Sequence, residues 1–304
     1  MYFDKEAWVI LDPIEQSIRN KIEKYGTPLK DWNVNIYRGI LTGCNEAFII
    51  DGAKRAELIA ADPKSDEIIR PILRGRDIKR YGYDFANLYM ICTFPSKGYN
   101  IENYPAIKDW LINGDWVGEE IPVSAGKLRL EQTGAEHFVN GVKFRSRKKT
   151  NNKWFETQDS IGYWNDFYKQ KIVYPCIMAQ EPCFMLDELQ HFPPAPGNII
   201  TGQHLKYLLG FLCSKVCYFA LREFYMGGGI EGELKTNRLL ILPVPKPSEN
   251  ESIFDELVSN LIENKQVRAD TSLLDNQIEK LVAEAYHLTD EEVGFIHKKS
   301  FVRK

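Results

Sequence analysis

The chain has 304 residues, of which 44% are hydrophobic and 27% are charged, and its formal net charge at pH 7 is −3. These values are ordinary for a globular protein, and the length is sufficient for one large domain or two smaller ones. No apolar run approaches the roughly 20 residues needed to cross a bilayer, and the N-terminus lacks the pattern of a secretion signal. We therefore expect a soluble protein of the cytoplasm, without a membrane partner.

The six cysteines form no C-x-x-C pair. Cys213 and Cys217 lie four residues apart in an apolar stretch, which predicts that they share one face of a buried helix. A zinc site would need closer clustering than these six cysteines and five histidines offer. We expect free core thiols in a reducing compartment and no metal site.

Apolar periodicity and turn residues predict the elements of the first half of the chain. They are a helix that begins at Asp12-Pro13 and ends at Gly26, short strands within 32–50, a helix at 53–61, a strand at 87–94 and a short helix at 103–111. A polar, aromatic-rich segment follows at about 115–170, and its composition favours surface loops and short strands.

The second half is predicted to begin with a buried strand and to end in helices. The expected elements are a strand at 171–178, a proline-rich connector at 191–198, a long apolar helix at 207–225, a strand at 238–244 and two amphipathic helices after 250. Composition shifts suggest an N-terminal helical segment (1–30), a central body (31–246) and a C-terminal helical region (247–304). The fold class expected is α+β.

Three sequence blocks occur in an order that is more informative than any one of them. They read GILTGCNEAF at 39–48, DPKSDEIIRPILRGRDIKRY at 62–81 and KIVYP at 171–175. The order resembles the TaqI-like specificity domain, which is the target-recognition part of adenine-N6 DNA methyltransferases and of type IIG restriction-modification enzymes. The sequence LPVP at 242–245 and the helical segment 274–296 extend the resemblance over nearly the whole chain. His287 stands where that family often has a glycine.

The resemblance implies an irregular, β-rich target-recognition body with a flanking N-terminal helix and a C-terminal helical pair. It implies sequence-specific binding of double-stranded DNA, chiefly in the major groove. The C-terminal helices would brace the body against a methyltransferase catalytic domain, in cis or in trans. S-adenosylmethionine is expected in that domain and no cofactor in this chain. Pro193-Pro194 lacks the Asn or Asp of a methyltransferase motif, so we expect no catalytic residues here.

The candidate DNA contacts come from two basic clusters. Residues 141–153 carry six cations and no acid, and they lead into an amide-rich and aromatic loop. Phosphates need cations, and base edges need Arg, Asn or Gln donors. The second cluster lies at 70–80, where Asp77 could pair with Arg74 or Arg80 and leave Arg76 and Lys79 outward. The candidates are Arg74, Arg76, Lys79, Lys143, Arg145, Arg147, Lys148, Lys149, Asn151, Asn152, Lys153, Trp154 and Lys235.

Two alternatives remain open at this point. Glu233 and Lys235 match part of a magnesium-dependent nuclease motif, although no partner Asp is evident. The chain could also be a protein-interaction scaffold in which the C-terminal helices carry the function. Gly227, Gly229 and Gly232 match G-x-G-x-x-G, but they follow a predicted helix instead of a strand, so we do not expect a nucleotide site.

Overall fold

A computed structural model describes residues 12–117, 121–178, 181–226 and 233–299, and within them the chain has the expected α+β fold. The helices are α1 (Pro13–Tyr25), α2 (Asn45–Phe48), α3 (Gly52–Ala61), α4 (Pro105–Asn113), α5 (Gly126–Leu130), α6 (Leu205–Leu212), α7 (Lys215–Ala220), α8 (Thr236–Leu239), α9 (Glu251–Gln266), α10 (Ser272–Ala285) and α11 (Asp290–Lys299).

The strands form several small antiparallel sheets. They are β1 (Thr27–Pro28), β2 (Val34–Arg38), β3 (Ile49–Asp51), β4 (Ile69–Pro71), β5 (Ile78–Lys79), β6 (Gly82–Tyr83), β7 (Leu88–Ile91), β8 (Glu136–Val139), β9 (Val142–Arg145), β10 (Lys171–Pro175), β11 (Met185–Asp187), β12 (Gly197–Gly202) and β13 (Pro243–Val244).

The first helix forms as predicted, because its ends are capped and one face is apolar. The Asp12 side chain accepts a hydrogen bond from the amide of Ile14, and Glu15 accepts one from the amide of Asp12. Such reciprocal bonds satisfy amide groups that a helix end leaves unpaired. Ile18 and Ile22 of α1 are fully buried and join the largest hydrophobic cluster of the chain.

A four-stranded antiparallel sheet in the order β11-β10-β12-β2 lies at the centre. Every residue of β10 is buried, which explains the apolar run that follows Lys171. Ile172 of β10 pairs with Ile200 of β12, and Ile200 pairs with Ile36 of β2. The strand predicted at 171–178 is therefore confirmed over Lys171–Pro175.

A charged pair is buried in this sheet. The Lys171 ammonium lies 2.5 Å from Asp187 and also donates to the carbonyl of Phe167 at 2.6 Å. His191 completes the group, because its Nδ1 lies 2.8 Å from the other oxygen of Asp187. Burial alone would raise the pKa of Asp187, but hydrogen bonds from His191 and Lys171 outweigh it and lower that pKa. The lysine of the KIVYP block is thus a core residue.

A second sheet, β3-β7-β4, supports the part of the chain that carries the basic run. Its strands and helices α2, α3 and α4 enclose a hydrophobic cluster that contains Phe48, Leu58 and Leu111. Phe155 is buried in the same cluster, and Phe167 is buried in a third one. The aromatic segment expected at the surface therefore contributes part of the core.

The helix predicted at 207–225 is wrong as a single element. The chain breaks at Ser214, whose hydroxyl accepts from the Cys217 amide at 3.1 Å and caps a new helix, α7. A π-helical turn at 221–225 follows α7. Cys213 ends α6, so the two cysteines are both buried but do not share one helix. The six cysteines are free thiols, and four of them are buried as expected, whereas Cys176 and Cys183 are only partly buried.

The strand predicted at 238–244 is also largely wrong, because residues from Thr236 to Leu239 form α8. Only β13 is a strand, and it pairs with β1 next to the first helix. The stretch at 45–48, where strands were expected, forms the short helix α2. These errors share a cause: a few apolar residues between turns fit either a strand or a short helix.

The predicted C-terminal helical pair corresponds to α9 and α10, and α11 follows it. Leu261, Ile278 and Val282 are fully buried in the cluster that also contains α6 and α7. The apolar faces of these amphipathic helices are therefore mostly buried within this chain, although Ile253 is 46% exposed. That these helices also brace the body against another domain stays a prediction. The division at 1–30, 31–246 and 247–304 stays a prediction.

In the described part of the chain, no helix combines the length and the hydrophobicity that a membrane span requires.

Replacing Asp187 with alanine is expected to destabilise the protein by about 3 to 5 kcal/mol, because it leaves the buried Lys171 ammonium without its counter-charge. Urea unfolding followed by circular dichroism measures the loss. Glu188→Ala is the matched control, since this neighbouring side chain is exposed. Equal stability of the two variants would show that the buried pair does not hold the central sheet.

Candidate DNA interface

The basic run begins in a β-hairpin made of β8 and β9. Asn140 and Gly141 form its turn with φ angles of 51° and 84°. Two residues with positive φ fit the right-handed twist of a two-residue hairpin, and Asn-Gly is the pair that adopts this conformation most readily. Glu136 pairs with Arg145, and Phe138 pairs with Lys143, so these four side chains share the outer face.

The residue after the hairpin that most constrains the structure is Arg147. Its guanidinium donates to four main-chain carbonyls: Leu130 at 2.8 Å, Thr42 at 2.7 Å, Glu156 at 2.8 Å and Trp154 at 2.6 Å. These oxygens belong to three separate segments of the chain. Only 2% of the residue is exposed, so Arg147 cannot reach a phosphate. Its prediction as a DNA contact is wrong, and it is a structural residue.

The Arg147 side chain is charged in spite of its burial. Burial lowers its pKa to about 10, which still leaves the group protonated at neutral pH. The guanidinium also lies over the ring of Phe48, with 5.1 Å between its central carbon and the ring centroid. A buried cation is tolerated because its N–H groups are hydrogen-bonded and the ring face is electron-rich.

The turn at Gly43 is fitted around this arginine. Gly43 has a φ of +75°, and a Cβ built on it would lie 2.3 Å from Gln158 Oε1 and 2.9 Å from Arg147 Cδ. Only glycine accommodates both the backbone conformation and the close approach. The first block of the sequence therefore supports the loop that follows the hairpin.

Two amides hold the rest of the loop. Gln132 donates to the carbonyl of Lys153 at 3.1 Å and accepts from the Thr150 hydroxyl at 2.7 Å. Asn152 donates to the carbonyl of Gln158 at 2.8 Å. The amide nitrogen of Asn152 is thus engaged within the protein, and the contact of this residue with DNA stays a prediction.

Six of the predicted residues remain exposed and lie along the hairpin and the loop. With Lys127 of α5 we call them the hairpin–loop surface: Lys127, Lys143, Arg145, Lys148, Lys149, Asn151 and Lys153.

One acid reduces the charge of this surface. Glu136 lies 3.0 Å from Lys143 across the hairpin, and the hydrogen bond from Lys143 lowers the pKa of Glu136. The run 141–153 contains no acid, but the facing strand of the hairpin supplies Glu136. Arg145 directs its Nε to the carbonyl of Gly134 at 3.0 Å, which orients its terminal nitrogens.

Trp154 is half-buried and packs against the cluster beneath the loop. Its ring meets Phe155 edge-on, with ring centroids 5.6 Å apart. The ammonium of Lys127 lies 5.6 Å from the centroid of the same ring. Trp154 therefore anchors the loop, and one edge of it borders the hairpin–loop surface.

The second basic cluster is organised by Asp77. Arg74 donates to both carboxylate oxygens of Asp77 at 2.8 and 2.9 Å, and Arg80 instead pairs with Asp275 at 2.6 Å. Burial alone would raise the pKa of Asp77, but the hydrogen bonds from Arg74 outweigh it and lower that pKa. Arg76 and Lys79 are exposed, as expected. Arg74 is thus mainly structural.

Lys235 lies near the same end of β10 as this cluster. Leu234 donates its amide to the carbonyl of Cys176 at 2.6 Å, and a Cβ on Gly75 would lie 3.2 Å from Pro175 Cβ. Lys235 is exposed and lies 3.9 Å from Glu233. Among the described residues, no hydrogen bond or ion pair joins this cluster to the hairpin–loop surface.

The structure does not strengthen the nuclease alternative. Within the described ranges, no group of three or more His, Cys, Asp or Glu side chains could hold a metal ion. The glycines Gly227, Gly229 and Gly232 lie outside the described residues.

No model of a known protein family matches this chain. Among solved structures, the fold is similar to part of the type IIL restriction-modification enzyme MmeI in complex with DNA. The TM-score is 0.52 at 9% identity, over 90% of this chain and 36% of that chain. The type IIG restriction endonuclease BpuSI gives a TM-score of 0.48 at 13% identity, over 94% of this chain and 33% of that chain. The chain spans about a third of the length of these two proteins.

At this low identity, the likeness to MmeI shows a shared fold and does not by itself show a shared activity. The score for BpuSI is too low to support an argument.

Replacing Arg147 with alanine is expected to lower the free energy of unfolding by on the order of 4 kcal/mol, because four carbonyls lose their charged donor. Chemical unfolding and limited proteolysis of the loop test this expectation. Arg145→Ala, two residues away and exposed, is the control and should change stability by less than about 0.5 kcal/mol. A well-folded Arg147→Ala protein with normal stability would contradict the structural role.

Proposed function

We propose that this chain is a target-recognition module that binds a specific sequence of double-stranded DNA within a restriction-modification enzyme. The observation that carries the proposal is the hairpin–loop surface, where exposed cations lie on a framework fixed by buried Arg147. The order of the three sequence blocks, which resembles TaqI-like specificity domains, supports the same function. So does the fold shared with MmeI, a restriction-modification enzyme solved in complex with DNA.

Affinity would come from contacts with phosphates. Lys148, Lys149 and Lys153 are exposed on a loop whose main chain is held by Arg147 and Gln132. Each phosphate that a lysine neutralises releases counterions, which makes binding fall steeply as salt rises. Because the loop is already ordered, little conformational entropy is lost when it meets the duplex.

Specificity would come from a smaller number of side chains near the same loop. Arg145 presents a guanidinium whose Nε is fixed by a main-chain carbonyl, and Asn151 presents an exposed amide. A guanidinium fork fits the two acceptors of guanine in the major groove, and an amide fits adenine. Each well-placed pair is worth roughly 1 to 3 kcal/mol of discrimination against another base.

The catalytic step belongs to another domain in this proposal. A methyltransferase domain, in cis or in trans, would bind S-adenosylmethionine and turn the target adenine out of the helix while this module holds the duplex. The protein would act on DNA in the cytoplasm. The exposed cations Arg76, Lys79 and Lys235 at the end of β10 would add phosphate contacts or face the catalytic domain.

The test is a salt titration of duplex binding by the wild type and by a Lys148→Ala, Lys149→Ala double variant. Loss of two phosphate contacts should weaken binding to all duplexes alike and reduce the slope of log K against log salt by about 2. Fluorescence anisotropy with a labelled duplex measures both quantities.

The matched control removes two exposed lysines from the C-terminal helices, Lys280 and Lys298. It should bind DNA as the wild type does. A wild-type protein that binds no duplex at low salt would contradict the proposed function. Equal losses in both double variants would contradict the assignment of the hairpin–loop surface.

A further inference from the structure

The outer face of the hairpin contains an apolar side chain that internal packing does not explain. Phe138 is 74% exposed, and no other phenylalanine among the described residues is as exposed; Phe85, at 41%, follows it. An isolated exposed apolar residue is common at protein surfaces. Phe138 differs because charged side chains surround it on the same face: Lys143 is its cross-strand partner, and Glu136 and Arg145 form the next pair.

The hairpin attaches to the body through its other face. Phe144 is buried there, and its ring stacks on His137 with 5.3 Å between ring centroids. The backbone pairing continues past the hairpin, since the amide of Gly134 donates to the carbonyl of Arg147 at 2.9 Å. The hairpin is therefore joined through its main chain to the residue whose side chain holds the loop.

We propose that Phe138 is a specificity-determining residue that contacts the 5-methyl group of a thymine in the major groove of DNA. This inference rests on the proposed function and deepens it. A two-stranded β-ribbon fits the major groove, and apolar side chains recognise the thymine methyl there. Lys143 and Arg145 outnumber Glu136 on this face, and the remaining positive charge favours a DNA duplex as its occupant.

The position of Phe138 favours contact with a base edge over insertion between base pairs. Asn140 and Gly141 occupy the tip of the hairpin, and Phe138 lies on the flat of the ribbon beside Lys143. A ribbon that lies flat in the groove presents Glu136, Phe138, Lys143 and Arg145 together to the base edges. A side chain that inserts between base pairs and unstacks them would need to lie at the tip of the hairpin.

The expected size of the effect follows from the transfer of one methyl group out of water. That transfer is worth a factor of about four in affinity. Removing the phenyl ring and removing the methyl group should each weaken binding to this extent. If the two groups touch, removing both should cost no more than removing one.

The experiment is a double-mutant cycle between protein and DNA. Wild type and Phe138→Ala are titrated with the duplex that the wild type selects from a randomised pool, and with the same duplex carrying deoxyuridine for thymine. The wild type should bind the thymine duplex about fourfold more tightly than the uracil duplex. The variant should bind both duplexes alike, at the affinity of the wild type for the uracil duplex.

Leu273→Ala is the control, since Leu273 is 80% exposed and lies at the start of α10, outside the hairpin. It should keep the thymine preference. Equal melting temperatures would show that all three proteins are folded.

The outcomes separate the two proposals. A wild type that binds no duplex contradicts the proposed function, and this inference fails with it. A wild type that selects a site while Phe138→Ala keeps full affinity overturns the inference alone. Equal thymine preference in both proteins overturns it as well, and so does a selected site that contains no thymine.

Discussion

The geometry of the hairpin and its loop depends on one buried cation, Arg147. Its guanidinium joins the Gly-containing turn before α2, the end of α5 and the loop after the hairpin through four main-chain carbonyls. Carbonyls in loops are not satisfied by a regular ladder and need donors from elsewhere in the chain. The Arg147 side chain carries five N–H donors in a rigid fork, so it can donate to all four carbonyls. Lysine could not replace it, because its donors diverge from a single atom.

A second buried and hydrogen-bonded cation lies in the central sheet. Lys171 is also a buried cation, in a sequence block that is otherwise apolar, and it is held by Asp187 and a carbonyl. Both cations lie where irregular chain meets the hydrophobic core. Their charges are expensive to bury, and they fix the positions of loops that apolar contacts alone would leave undetermined. The exposed cations near Arg147 then lie on a main chain that this buried arginine helps to hold in place.

Much of the regular structure could be predicted from the sequence. The capping residues and apolar spacing of α1, and the continuous apolar run of β10, depend only on local pattern. The break at Ser214 is hard to predict because apolar residues flank Ser214 and Lys215 on both sides, although the serine hydroxyl competes for the helix amides. The hairpin could have been found from Asn140-Gly141, which is a strong signal for a two-residue turn. Alternation along β8 would then have placed Phe138 on the outer face.

The roles within the basic run could not be read from the sequence. Arg147 and Lys148 are neighbours of like charge, and only the position of the carbonyls from Thr42 and Leu130 distinguishes the buried cation from the exposed one. Asn152 and Asn151 differ in the same way. The pairing of Asp77 with Arg74 was among the expected arrangements, because residues three apart in a tight turn can meet. Contacts between residues distant in sequence leave no comparable pattern in the local sequence.

The measurement that tests the central claim most directly is hydrogen exchange with and without the selected duplex. If the hairpin–loop surface binds DNA on a framework fixed by Arg147, the amides of 134–153 should become more protected in the complex, and those of α9 to α11 should not change. Protection confined to the C-terminal helices, with the hairpin unaffected, would contradict the account and favour an interaction scaffold.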